Sequence, residues 1–134
     1  MPDLTVARYD VFEHTITAKV DGNPYVDVEF WGVFKHANRT IRVPGFYDGE
    51  GVFKVRLMPD VEGEWSLTTE SDVAALDGKT TSVTVTAARQ GVHGPVSVRN
   101  KFHFGYADGT PYLPFGTTCY VWTHQTQDLQ TQTL

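Results

Sequence analysis

Apolar and polar residues alternate with a period of two over most of the stretch from Val11 to Val85, the pattern of half-buried β-strands. In the first run Phe12, His14, Ile16 and Ala18 share one face, with Glu13, Thr15, Thr17 and Lys19 on the other. A second run sets Val26, Val28, Phe30, Gly32 and Phe34 against Asp27, Glu29, Trp31, Val33 and Lys35. Thr40 to Val43 reads as a short strand that ends at Pro44-Gly45. The clearest alternation follows, with Phe53, Val55 and Leu57 inward and Lys54, Arg56 and Met58 outward. Trp65, Leu67 and Thr69 form the inner face of a further strand, and Val83 and Val85 mark the last of the set.

Turn chemistry separates these runs. Asp21-Gly22-Asn23-Pro24 cannot continue a strand, and Tyr47-Asp48-Gly49-Glu50-Gly51 is rich in residues that tolerate positive φ. Pro59-Asp60 and Glu62-Gly63 bracket another turn, and Ser71 to Gly78 reads as a loop. Turns recur at the spacing of roughly 8–12 residues that marks an all-β sandwich. The expected fold is therefore all-β, an immunoglobulin- or fibronectin-like antiparallel sandwich over residues 1–90. No helical period stands out in this region.

Ala87 to Pro95 holds two glycines, a proline and little apolar content, which places a boundary there. Residues 91–134 are then a linker, a hairpin and the start of a β-strand-to-helix unit. The hairpin pairs Val96–Phe104 with Pro111–Tyr120 about Asp108-Gly109. The closing TQDLQTQTL is too short and too polar to hold a helix alone.

Composition narrows the function. With 134 residues, 40% hydrophobic and 20% charged, the chain can bury one core and has the balance of an ordered, soluble domain. A net charge of −5 and no basic stripe argue against nucleic acid as a partner. No apolar stretch reaches the length of a membrane span. The N-terminus MPDLTVARYD lacks the basic and apolar regions of a signal peptide, so a cytoplasmic location is expected unless a signal once preceded it. Cys119 is the only cysteine, which excludes an intrachain disulfide and a thiolate metal cluster.

Two segments, GFYDGEGVFKVRLMPDVEGEWSLTTESDVAALDGK and FHFGYADGTPYLPFGTTCYVWTHQ, carry a family resemblance. In this order and spacing they resemble the N-terminal β-sandwich domain, of unassigned function, that precedes a (β/α)8 barrel in apiosidase-like glycoside hydrolases. The resemblance runs from about Tyr9 to the C-terminus. It implies that Gly105 to Gln125 is the entrance to the barrel, with a first barrel strand ending near Thr118-Cys119-Tyr120. The sequence departs from the family where the first barrel helix should begin. Glycoside hydrolysis needs two carboxyl groups about 5–10 Å apart, and a barrel supplies them from several strand ends. One strand cannot, so this chain alone is expected to be an inactive accessory domain with its own catalytic barrel as partner. The alternatives are a stand-alone carbohydrate-binding module or a purely structural interaction domain.

Individual residues divide between packing and binding. Trp31, on the polar face of its strand with Tyr25 and Val33 in phase, is a candidate platform for a sugar ring or a residue covered on both sides. Phe46 and Tyr47, beside a tight turn, can edge a sugar site or cap the core. Trp65 is expected in the core. Asp48, Glu50, Asp60 and Glu62 are ordinary turn residues, too few for the six to eight oxygens of calcium, so no metal is expected, and no cofactor. His14 is expected as a core histidine and Cys119 as a buried strand cysteine. In the complete enzyme, Tyr120, Trp122 and His124 would line the cleft as substrate contacts. Leu113, Phe115, Tyr120, Val121 and Trp122 predict a tail that folds back or drives self-association through residues 111–122.

Overall fold

The computed structural model describes residues 4–116 and 118–133. Its strands are β1 (Leu4–Ala7), β2 (Phe12–Thr17), β3 (Phe30–His36), β4 (Arg39–Pro44), β5 (Phe46–Gly49), β6 (Val52–Leu57), β7 (Gly63–Ser71) and β8 (Thr80–Thr86), then β9 (Val96–Arg99), β10 (His103–Tyr106) and β11 (Pro111–Tyr112). A 3-10 turn at Trp122–His124 and a short helix α1 (Gln127–Thr133) follow. No described helix is long and apolar enough to cross a membrane.

The chain divides into two compact units, Met1–Pro95 and Val96–Leu134. The first is an all-β sandwich. Its five-stranded sheet runs β1-β8-β7-β3-β4 and its three-stranded sheet β2-β6-β5. Every pairing is antiparallel except β1 with β8, which is parallel.

Alternation puts the core where the two sheets face each other. Phe12 and Ala18 come from β2 and the residues after it. Phe30 and Phe34 come from β3, Phe53 and Val55 from β6, Trp65 and Leu67 from β7, and Val83 and Val85 from β8. Gly32 lets β3 come close to β6: a Cβ there would stand 2.6 Å from Val55 Cγ2, well inside contact distance. Thr69 is the buried polar member, and its hydroxyl is satisfied twice. It donates to Leu76 O at 2.5 Å and accepts from Lys79 N at 3.0 Å, which removes the cost of an unpaired buried hydroxyl. Trp65 donates Nε1 to Val61 O at 3.0 Å, and His36 stacks on its ring.

Several expectations need correcting. The run from Val26 does not become a strand until Phe30. Asn23 O accepts from Val26 N and Asp27 N, Glu29 N donates to Asp72 Oδ1, and Ser71 Oγ donates to Glu29 O, so this backbone is spent on turn and loop partners. Tyr47 to Gly49, the first part of the turn expected at Tyr47–Gly51, instead join Phe46 in β5 against β6, with a bulge between Tyr47 and Gly49. Leu76 leaves the loop after β7 and is fully buried, because a turn closed by Ser71 N on Asp77 Oδ1 directs it inward.

In the second unit the order is β11-β10-β9. The single long arm from Val96 to Phe104 is broken by a turn at Asn100 and Lys101, whose φ values are 47° and 67°. Among the described residues the other arm is a strand only at Pro111–Tyr112. Beyond it, the described residues 113–116 and 118–120 form no ladder, and Pro114 has no N–H to offer one. Cys119 is exposed rather than buried for the same reason: no sheet forms around it. The closing residues do form a short helix, with Trp122 Nε1 donating to Gln130 O at 3.1 Å.

Candidate functional site

A concave corner of the sandwich lies where the loop after β2 meets the β5–β6 hairpin. The loop is built by Asn23. Its side-chain oxygen accepts from Tyr25 N at 3.2 Å and its own N–H donates to Asp27 Oδ2 at 2.7 Å. Such side-chain bonds hold a turn without secondary structure around it. Tyr25 is held out at the crest, 69% exposed.

From Tyr25 a chain of ring contacts runs inward. Tyr25 meets Tyr47 edge to face, with centroids 4.9 Å apart. Tyr47 lies 5.0 Å from Phe53, and Phe53 meets Phe30 at 5.9 Å. Phe53 and Phe30 belong to the core, so the exposed Tyr25 ring is anchored to the interior through Tyr47. Tyr47 is fixed at its polar end as well, since Gly51 N donates to its hydroxyl at 2.9 Å. Gly45 is required beside this chain, because a Cβ there would stand 2.1 Å from the Phe30 ring. The rings enclose a pocket of about 160 Å³ whose lining includes Pro24, Tyr25, Val28, Phe46 and Tyr47.

Phe46 and Tyr47 diverge because adjacent strand residues point to opposite faces. Tyr47 pairs with Phe53 and turns inward, whereas Phe46 pairs with Lys54 and turns out, with Arg56 over its ring at 4.9 Å. Trp31 belongs elsewhere. It sits on β3 opposite Glu70 and Pro44, with the Arg42 guanidinium 3.9 Å from its ring centroid. Arg42 is held in turn by Glu70 at 2.9 Å. One face of the indole is thus already occupied by a cation. The structure brings Tyr25, Phe46 and Tyr47 to one corner and leaves Trp31 outside it, so the four rings form no single flat platform. Lys19, Asp21 and Glu50 line an adjoining depression of about 360 Å³; the sequence shows them as one polar strand position and two turn residues, with nothing that links the three.

The charges on the outer face of the three-stranded sheet form a network. Lys54 reaches Asp48 at 2.6 Å and Glu13 at 3.3 Å, and Arg56 reaches Glu13 at 2.7 Å. The Arg56 hydrogen bond holds the Glu13 carboxyl below its ordinary range, and Lys54 does the same for Asp48. Asp48 in turn raises Lys54. Asp60 is lowered by Arg39, which approaches it at 2.6 Å and 2.8 Å. His14, half-buried on the inner face of β2, is pushed down by burial. Among the described residues no three His, Cys, Asp or Glu gather as a metal site would require.

In the second unit Tyr120 and His124 are exposed, and Trp122 is half-buried with its ring N–H committed to Gln130. One face of the β9–β11 sheet is apolar. Phe104 lies opposite both Val98 and Tyr112, Tyr106 lies opposite Val96, and Tyr106 and Tyr112 touch edge to face at 5.3 Å.

Fold and corner together define an all-β sandwich module, with a ring-lined pocket at one end. Residues 5–72 match the model of the domain of unknown function DUF5060, and the chain belongs to that family. A crystal structure from Bacteroides vulgatus ATCC 8482, described as a putative glycoside hydrolase, matches with a TM-score of 0.93 and 39% identity. The match covers 98% of this chain and 25% of that one, so the chain spans a quarter of that protein's length. No curated protein matches the sequence.

Proposed function

We propose that this chain is the N-terminal accessory sandwich of a glycoside hydrolase and performs no hydrolysis alone. The observation that carries this reading is the match over 98% of the chain to a quarter of a much longer protein bearing that description. The carboxyl chemistry supports it. A glycosidase's general acid needs a raised pKa, whereas Glu13, Asp48 and Asp60 are all held low by cationic neighbours. The sandwich is of the immunoglobulin type in this reading. Its sheets follow the order A′-G-F-C-C′ and B-E-D when the eight strands are lettered in sequence, with the parallel β1–β8 pair as A′ and G.

Residues 91–134 are, in the same reading, the approach to a (β/α)8 barrel. Tyr120 and His124 present free side chains for a substrate, and Trp122 braces α1 from the side. The apolar face of β9–β11 and the exposed Leu113, Phe115 and Tyr120 are the surface against which the rest of such a hydrolase packs. Where that partner is missing, residues 111–122 promote self-association. The test is an assay of the purified chain against aryl-glycosides and plant oligosaccharides. The expected result is no turnover. Turnover that disappears when a carboxylate of this chain is substituted would overturn the proposal.

A further inference from the structure

Pro24 and Tyr47 line both depressions at the end of the sandwich, so the pocket beside Tyr25 and the shallower one beside Lys19 share a wall. Three properties of this corner fix the chemistry of a ligand. Its apolar part is made of rings held before any ligand arrives. The Asn23 turn sets the backbone of Tyr25, and the Gly51 hydrogen bond sets Tyr47, so little ordering entropy remains to be lost on binding. Its polar part, Lys19, Asp21 and Glu50, offers a donor and acceptors together, which suits hydroxyl groups that both give and take hydrogen bonds. Its formal charge is −1 from two carboxylates and one ammonium, and the whole chain carries −5, which disfavours an anionic ligand.

Size narrows the choice again. About 160 Å³ is below the roughly 300–1,000 Å³ of pockets that enclose a drug-sized molecule. The pocket takes one small ring, and the adjoining depression gives room for a neighbouring unit. A ring with an apolar face and a hydroxylated rim, repeated along a chain and uncharged, is a sugar in a neutral glycan.

We propose that this corner binds a neutral glycan, one sugar ring lying on the open face of Tyr25 and against Pro24, with hydroxyls directed to Lys19, Asp21 and Glu50. Trp31 takes no part, because Arg42 covers it. At the binding efficiency of ordinary small ligands, a unit of about a dozen heavy atoms gives an affinity of roughly millimolar order. Such a contact keeps a hydrolase near its polymer without trapping the product. The choice of a glycan rests on the hydrolase-module reading. Turnover by this chain would sink that reading and leave a binding signal in place, whereas absence of binding sinks the site and leaves that reading untouched.

The experiment is an NMR titration of the full, isotope-labelled chain with xylohexaose, cellohexaose and mannohexaose, and separately with oligogalacturonate, each up to roughly ten millimolar. At least one neutral oligosaccharide is expected to shift amides confined to residues 18–29 and 45–51, and oligogalacturonate to bind at least tenfold more weakly. Tyr25→Ala is expected to weaken binding at least tenfold and Tyr25→Phe less than threefold, with the remaining spectrum unchanged, since the side chain stands largely in solvent. The double substitution Asp21→Asn with Glu50→Gln provides a second probe and is expected to weaken binding at least threefold. No shift with any of the three neutral sugars, shifts centred elsewhere, or wild-type affinity in Tyr25→Ala would each overturn the proposal. So would preference for oligogalacturonate.

Discussion

Leu67 in β7 and Val98 in β9 both occupy alternating positions in antiparallel strands, yet Leu67 is fully buried and Val98 is 63% exposed. The two units differ in the same way throughout. In Met1–Pro95 each apolar strand face meets a second sheet. In Val96–Leu134 one three-stranded sheet presents Val96, Val98 and Phe104, and among the described residues of that unit no second sheet covers them. Alternation specifies which face of a strand is apolar. Burial requires a second layer, and among the described residues only the first unit has a second sheet.

The largest test of that contrast is paired truncation. Leu67→Ala should cost about 2–5 kcal/mol of unfolding free energy, the range for a large-to-small change in a packed core. Val98→Ala should stay within about 0.5 kcal/mol, as surface changes do. Denaturant midpoints at constant slope measure both. Equal losses would mean that β9 is as well packed as β7. Gly32→Val probes the opposite error, overpacking between the sheets. With a Cβ only 2.6 Å from Val55, it should destabilise by roughly 1–3 kcal/mol, and a neutral outcome would show that the sheets can separate freely at β3.

How far the sequence foretold this arrangement depended on whether a residue's fate was set locally. Phe53, Val55, Trp65, Leu67 and Thr69 were legible because a period of two within one strand carries the whole signal. Leu76 was not, since a loop residue becomes core only through the turn that closes on Asp77. The break at Asn100-Lys101 was hidden because neither residue is glycine, although both adopt positive φ. β1 was invisible for another reason: four residues pairing in parallel with β8, which lies far along the chain, leave no local trace. At the corner, aromatic residues beside turns pointed to Tyr25, Phe46 and Tyr47. Lys19, Asp21 and Glu50 could be found only once two loops were seen to converge.

Acidification probes the sandwich unit more finely. Burial holds the His14 imidazole below its ordinary pKa of 6.5. Between that value and the folded one, the unfolded chain takes up the proton and the folded chain does not. Stability should therefore fall as pH drops below about 6.5 and level off once the folded-state pKa is passed. Glu13, Asp48 and Asp60 act in a lower window, because their carboxyls are depressed and their contribution is lost only as pH falls through those lowered values. His14→Gln should flatten the upper part of a thermal-stability profile and leave the lower part. A profile unchanged by that substitution would show that His14 is not the group responsible.

The smallest expected effect on stability concerns the tail. Replacing Leu113, Phe115 and Tyr120 together by Ser should change unfolding free energy by less than about 0.5 kcal/mol. It should also abolish the self-association proposed for residues 111–122, with light scattering at high protein concentration as the readout. Persistence of the same oligomer would locate the contact elsewhere.

Native-state hydrogen exchange of the intact chain tests most directly whether the sandwich completes its own core and the remainder does not. Amides of β3, β6 and β7 should exchange only through global unfolding, while those of β9 to β11 and α1 exchange at least a hundredfold faster through local opening. Equal protection in both units would contradict the account.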